Sequence, residues 1–131
     1  MKIVVTLEGN KKVNANVNGH IIKTDQPVAS GGEGTAPTPF ELFLASIATC
    51  AGIYIKGFCD QRNLPSENIE IIQDTEVDRD TNLVSKINIE IKVPKEFPEK
   101  YIDALINVAS LCKVKQHMAK PPIFNLFTTI G

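Results

Sequence analysis

The segment Phe40-Glu41-Leu42-Phe43-Leu44-Ala45-Ser46-Ile47-Ala48-Thr49-Cys50-Ala51-Gly52-Ile53-Tyr54-Ile55 is the most apolar stretch of the chain, and helix signals flank it on both sides. Thr38 stands at the N-cap, Pro39 at the first helical position and Glu41 where it closes a capping box. Pro65 sets the far limit, so the spacing predicts a helix from Pro39 to about Asn63. A helix that is apolar nearly all round has to be covered on more than one side. A chain of 131 residues has the length of one domain and buries roughly two-thirds of its unfolded surface, too little to wrap such a helix alone. Packing of a second copy through Ala45, Ala48, Ala51 and Gly52 would supply the missing cover, so an obligate homodimer is predicted. The run from Leu42 to Ile55 is broken by Ser46 and Thr49 and has the length of a buried core helix, not of a membrane span; no membrane partner is expected.

The flanking sequence alternates as strands do. Ile3, Val5 and Leu7 share one face, and Val13, Ala15 and Val17 stand against Asn14, Asn16 and Asn18; Asn18-Gly19 is a hairpin signal leading into His20-Ile21-Ile22-Lys23. A three-strand antiparallel meander follows from this pattern. Ala29 to Thr38 is rich in glycine and proline and reads as a crossing loop. Beyond the helix, Ile69, Ile71, Thr75 and Val77 form one strand face and Leu83, Ser85, Ile87, Ile89, Ile91 and Val93 another. Their charged faces favour a hairpin over Arg79-Asp80-Thr81-Asn82. Pro98 opens a second helix with Tyr101, Leu105, Val108 and Cys112 on one stripe, and Ile123 to Ile130 is predicted to be a terminal strand. The element order defines an α+β domain spanning 1–131 with antiparallel sheets.

The formal charge of −1 gives no electrostatic case for nucleic acid. Three cysteines without a CxxC pair point to reduced thiols in the cytosol, with no signal peptide expected at the N-terminus. Cys50 is either a packing residue or a protected redox group. It lies about three turns into the helix, beyond the reach of the N-terminal dipole, so burial should raise its pKa and a working thiolate would need a nearby cation. Cys112 either ends the stripe of the second helix or begins a new short helix through Met118, with Lys113, Lys115, His117 and Lys120 close by in sequence. Cys59 and Glu41 lie nine residues either side of Cys50, on other helix faces, with Glu41 roughly 13 Å away along the axis. Cys112 and His117 alone are too few ligands for a metal site, and no metal or other cofactor is expected.

Thr38-Pro39-Phe40-Glu41-Leu42 running on to Ala48-Thr49-Cys50, with Cys112 downstream, resembles the OsmC/Ohr family of osmotically induced and organic-hydroperoxide-resistance proteins. The resemblance implies antiparallel sheets packed around a long central helix in an intertwined homodimer, with sites at the subunit interface. It implies that Cys50 attacks a hydroperoxide, that Cys112 resolves the product to a disulfide, that Glu41 assists, and that a dithiol reductant reopens the bridge. The chain departs from the family pattern in three places. Phe40 stands ten residues before Cys50 where the acid usually lies, Lys113 replaces a proline, and the assisting arginine is missing, since the only arginines are Arg62 and Arg79. Lys11, Lys12, Lys113 and Lys115 are the possible substitutes, and a lysine does not reproduce the planar guanidinium. The alternative reading is a non-catalytic dimer that binds a small apolar or thiol compound at its interface.

Overall fold

In a computed structural model describing residues 1–131, Asn18 and Gly19 both take positive φ, 51° and 84°, the backbone that a two-residue hairpin turn demands. The turn joins β2 (Val13–Val17) to β3 (His20–Thr24), and β1 (Ile3–Leu7) lies antiparallel on the other side of β2. The three strands form the predicted meander, in the order β1-β2-β3. They belong to the first of two compact units, Met1–Ala45 and Ser46–Gly131.

The loop after β3 is tied at its base by the Asp25 N–H, which donates to the Pro37 carbonyl at 3.2 Å. Inside the loop the buried Asp25 carboxylate accepts from the Gln26 N–H at 2.7 Å, the Thr35 hydroxyl at 2.6 Å and the Thr35 N–H at 3.1 Å. Gly32 comes so close to Gln26 that a Cβ there would lie 2.0 Å from the Gln26 carbonyl oxygen, so no other residue fits. At Thr38 the capping box forms as predicted: the Glu41 N–H donates to Thr38 Oγ1 at 3.1 Å and the Thr38 N–H to Glu41 Oε1 at 2.9 Å. Helix α1 (Pro39–Gln61) begins here and continues into the second unit.

The second unit contains the hairpin of β4 (Glu70–Val77) and β5 (Val84–Lys92), then α2 (Ile102–Ala109) and α3 (Lys113–Ala119). The two strands pair antiparallel, with Lys86 opposite Glu76 and 3.8 Å from its carboxylate, so the expected charge pairing is present. The core gathers Ile55, Phe58 and Cys59 of α1 with Phe97 and Leu105, and Ile69, Ile71, Ile91, Val93, Tyr101 and Val108 pack around it. Arg62 stacks its guanidinium 3.7 Å from the Phe58 ring centre, and its Nη1 donates to the Phe58 carbonyl. By length and composition α1 could cross a membrane, but its buried stripe of Ile47, Ala51, Ile55, Phe58 and Cys59 is that of a core helix.

Three expectations need correction. Residues 123–130 form no strand: a strand needs a partner edge, and this segment pairs with none, leaving Ile123, Phe124, Leu126, Phe127 and Ile130 exposed. The second helix does not run through to Cys112 but ends at Ala109, where the Ser110 N–H, at 3.1 Å, and its hydroxyl, at 2.8 Å, both donate to the Ile106 carbonyl. The small residues of α1 do not form one outward seam. Ala51 is buried within its own unit, and a Cβ on Gly52 would meet Ile71 Cδ1 at 3.3 Å, so both serve contact with the chain's own sheet.

Four donors facing Asp25 hold its pKa at about 2, below the ordinary 3.8, with the Thr35 hydroxyl the largest cause. A depressed carboxylate contributes stability above the unfolded value, and that contribution is lost as pH falls from 3.8 toward 2. Wild type should therefore lose urea resistance across this window more steeply than Asp25→Asn. Parallel slopes for the two proteins would refute the assignment.

Candidate functional site

The stripe that α1 buries decides where Cys50 stands. Ala51 is 2 % exposed, and its neighbour Cys50 is turned about 100° away, which leaves it half-buried at the margin of the packed face. Cys112 is the N-cap residue of α3, 2 % exposed, with its Sγ 4.0 Å from the Ile47 carbonyl one turn back from Ala51. The two thiols lie close enough for each to shift the other's ionisation. The structure thus brings together the two thiols that are sixty-two positions apart in the sequence.

Their environments drive the two thiols apart. Cys50 is held below its ordinary pKa, chiefly by the backbone N–H of Val114, then by the Cys112 thiol and the Lys113 N–H, against opposing desolvation. Cys112 is pushed up, first by burial and further by the neighbouring Cys50 sulfur, although the Lys115 and Val114 amides favour its charged form. Of the two adjacent thiols, Cys50 is therefore the one that ionises first, while Cys112 holds its proton more tightly. This corrects two expectations: the pKa of Cys50 falls instead of rising, and no side-chain cation is among the causes. The field comes from amides freed at the start of α3, where the first N–H groups of a helix have no helical acceptor.

The other singled-out residues have different surroundings. Lys115 lines an apolar cavity beside Cys112, and Lys12 is 3.2 Å from the Glu33 carboxylate. His117 Nδ1 lies 2.8 Å from the Lys113 carbonyl, an acceptor, so Nδ1 carries the proton. Cys59 is fully buried among Phe58 and Leu105, where desolvation raises its pKa and makes it an inert packing thiol. The Glu41 carboxylate serves the capping box. Neither arginine takes the place of the missing one: Arg62 is spent on Phe58, and Arg79 sits in the turn between β4 and β5. Of the lysines named as possible activators of Cys50, Lys113 acts through its backbone N–H, and the residue that the sequence reading missed is Val114, which acts the same way. The available signal was Cys112 read as the start of a new helix.

An α+β protein with two antiparallel sheets, a long core helix and a paired dithiol at its flank defines the class. The OsmC-like protein family matches residues 32–126, most of the chain, and the chain belongs to that family. No curated protein matches it. Among solved structures, it is similar to a Psychrobacter arcticus protein ascribed to osmotic stress induction and detoxification response. Identity is 24 % and the TM-score 0.75, over 88 % of this chain and 86 % of that one. The organic hydroperoxide resistance protein OhrB of Bacillus subtilis is 20 % identical, with a TM-score of 0.53 over 88 % of each chain. A Vibrio cholerae protein ascribed to organic hydroperoxide resistance, with captopril bound in one of its active sites, is 15 % identical, with a TM-score of 0.56 over 89 % of this chain and 84 % of that one. The fold is OsmC-like.

The opposed environments of the thiols make a direct prediction for alkylation. With limiting iodoacetamide, Cys50 should be modified first, with a rate that rises with pH to a plateau whose midpoint lies below the ordinary thiol value of 9.0. Cys59 should react only after unfolding. Peptide mapping by mass spectrometry checks the order, and first modification at Cys112 or Cys59 would overturn the assignment.

Proposed function

We propose that the protein is a thiol-dependent reductase of organic hydroperoxides, working through Cys50 and Cys112 in the cytosol, where a dithiol reductant keeps the pair open. The observation that carries this reading is the adjacent thiol pair itself, with the Lys113 and Val114 amides lowering the pKa of Cys50 and burial raising that of Cys112 beside it. The Cys50 thiolate attacks the terminal oxygen of the hydroperoxide. The O–O bond breaks, the alkoxide leaves and takes up a proton as the alcohol, and Cys50 is oxidised to a sulfenic acid. The Cys112 sulfur then attacks the sulfenic sulfur, its proton leaves with the displaced hydroxide as water, and a disulfide forms. An external dithiol returns both residues to thiols by exchange.

Amides replace the arginine of the family pattern only in part. They stabilise the thiolate, but they do not supply a guanidinium that holds thiolate and peroxide oxygen together, so turnover slower than in arginine-containing members is expected. Glu41 acts in this reading through the cap that fixes the start of α1.

Treatment with stoichiometric cumene hydroperoxide should give a Cys50–Cys112 disulfide, seen as the loss of two hydrogens by intact-mass spectrometry and located by peptide mapping. Cys50→Ser should abolish it, and Cys112→Ser should accumulate a Cys50 sulfenic acid trapped by dimedone. Wild-type protein that stays fully reduced would sink the proposal.

The exposed apolar residues support a homodimer as part of the same reading. Ile53 on the outer side of α1, Val4, Val5 and Leu7 on β1, and the 123–130 segment are all left uncovered in one chain. Light scattering should give twice the 14.4 kDa chain mass at micromolar concentration, and a monomer would refute the dimer.

A further inference from the structure

Residues 104–131 contain three lysines and one histidine and no Asp or Glu, although the whole chain has a formal charge of only −1. These four, Lys113, Lys115, His117 and Lys120, all fall on α3 and its C-cap. Successive helical residues turn by about 100°, so Lys113, His117 and Lys120 share one face within roughly 60°, and Lys115 lies on the other side. The three are exposed, and no ion pair of the chain involves them. Their face starts one residue after Cys112 and runs about 10 Å along the helix, comparable to the Debye length of about 8 Å at physiological ionic strength. Their side-chain charges are not among the causes that shift the pKa of Cys50 or of Cys112. The basic face is therefore turned to solvent, next to the thiols but not spent on them. Leu111 and Met118, both exposed, add apolar surface at either end of α3, the mixture of charge and apolar contact that protein interfaces use.

We propose that the Lys113–His117–Lys120 face docks an acidic protein that carries the dithiol reopening the Cys50–Cys112 bridge, an inference that rests on the peroxidase reading and names the kind of reductant it needs. Cys112 is buried and Cys50 only half-buried, so an incoming thiolate reaches the bridge at Cys50. Its sulfur bonds to Cys50 Sγ, the Cys50–Cys112 bond breaks, and Cys112 leaves as a thiolate that takes up a proton. The partner's second thiol then loses its proton and attacks the partner sulfur bound to Cys50. Cys50 departs as a thiolate, and the partner is left oxidised to a disulfide. The attacking group is itself negative, and unpaired cations beside the bridge raise the local concentration of an acidic surface that bears it. A basic reductant is repelled by the same charges, so the face selects its partner by sign.

The test uses full-length protein closed with diamide, which makes the bridge without peroxide. Near neutral pH it is reduced by the peptide Glu-Glu-Cys-Gly-Pro-Cys-Glu-Glu, by its counterpart with lysine in place of glutamate, and by dithiothreitol. Each rate is divided by that reductant's rate with hydroxyethyl disulfide, which removes differences in intrinsic thiol reactivity. The acidic peptide should be about tenfold faster than the basic one at low ionic strength, and the gap should narrow to about twofold in molar salt. Lys113→Glu with Lys120→Glu should reverse the order of the peptides. Lys92→Glu with Lys95→Glu, the same change of net charge made away from α3, should preserve it. Lys113→Gln with Lys120→Gln should remove most of the acidic peptide's advantage relative to dithiothreitol, and it keeps the test open if the charge-reversed variant fails to fold. Equal rates for the two peptides, or an advantage lost equally in both glutamate variants, would overturn the proposal. Binding of wild type to vesicles of anionic phospholipid that the glutamine variant loses would also overturn it, by assigning the face to a membrane. So would a wild-type dimer that the glutamine variant converts to monomer in light scattering, by assigning the face to a second copy. A bridge that diamide closes and peroxide does not refutes the peroxidase reading, whereas a bridge that peroxide closes and both peptides open equally refutes the docking face alone.

Discussion

The stripe of α1 formed by Ile47, Ala51, Ile55, Phe58 and Cys59 is the contact on which the second unit depends. Each large apolar side chain buried there contributes about 1.5–3 kcal/mol, so rotating the helix away from its packing would cost several such terms at once. That fixes the azimuth of α1, and with it the position of every residue on the helix. Cys50, one step from Ala51, is held at the edge of the buried face, neither sealed in the core nor free in solvent. Leu105, packed into the same core, anchors α2, and the short break after Ala109 delivers Cys112 and the first amides of α3 to that edge.

The resulting site separates two chemically identical groups by environment. Burial penalises charge at Cys112, whereas backbone N–H groups aimed at Cys50 favour it. Amides held at the start of a helix are fixed in direction and need no flexible side chain to be ordered, which makes them a sufficient source of thiolate stabilisation where the chain has no arginine to offer. The lysines that follow Cys112 in sequence contribute through the backbone at Lys113 and Lys115, and not as a cluster of ammonium charges. A dense cationic sequence is thus a misleading guide to the field that a sulfur experiences.

Much of the fold was legible because its signals are local. The Asn18-Gly19 turn, the Thr38–Glu41 capping box and the Glu76–Lys86 pair are each settled by residues a few positions apart or directly cross-strand, and they form as read. The misreadings share the opposite property. The end of α2 carries no glycine or proline to mark it in the sequence. The 123–130 segment has the alternation of a strand, yet pairing depends on an edge that its own chain does not present to it.

The sequence by itself determined that this is an α+β chain built on one apolar helix, with Cys50 on that helix and Cys112 beyond the β4–β5 hairpin, because hydrophobic period, caps and turn residues act over a few residues. Only the tertiary structure decided that Cys50 is the more acidic thiol and Cys112 the less acidic one. That difference arises from amides and burial contributed by segments far apart in the chain, and no spacing within the sequence encodes their meeting.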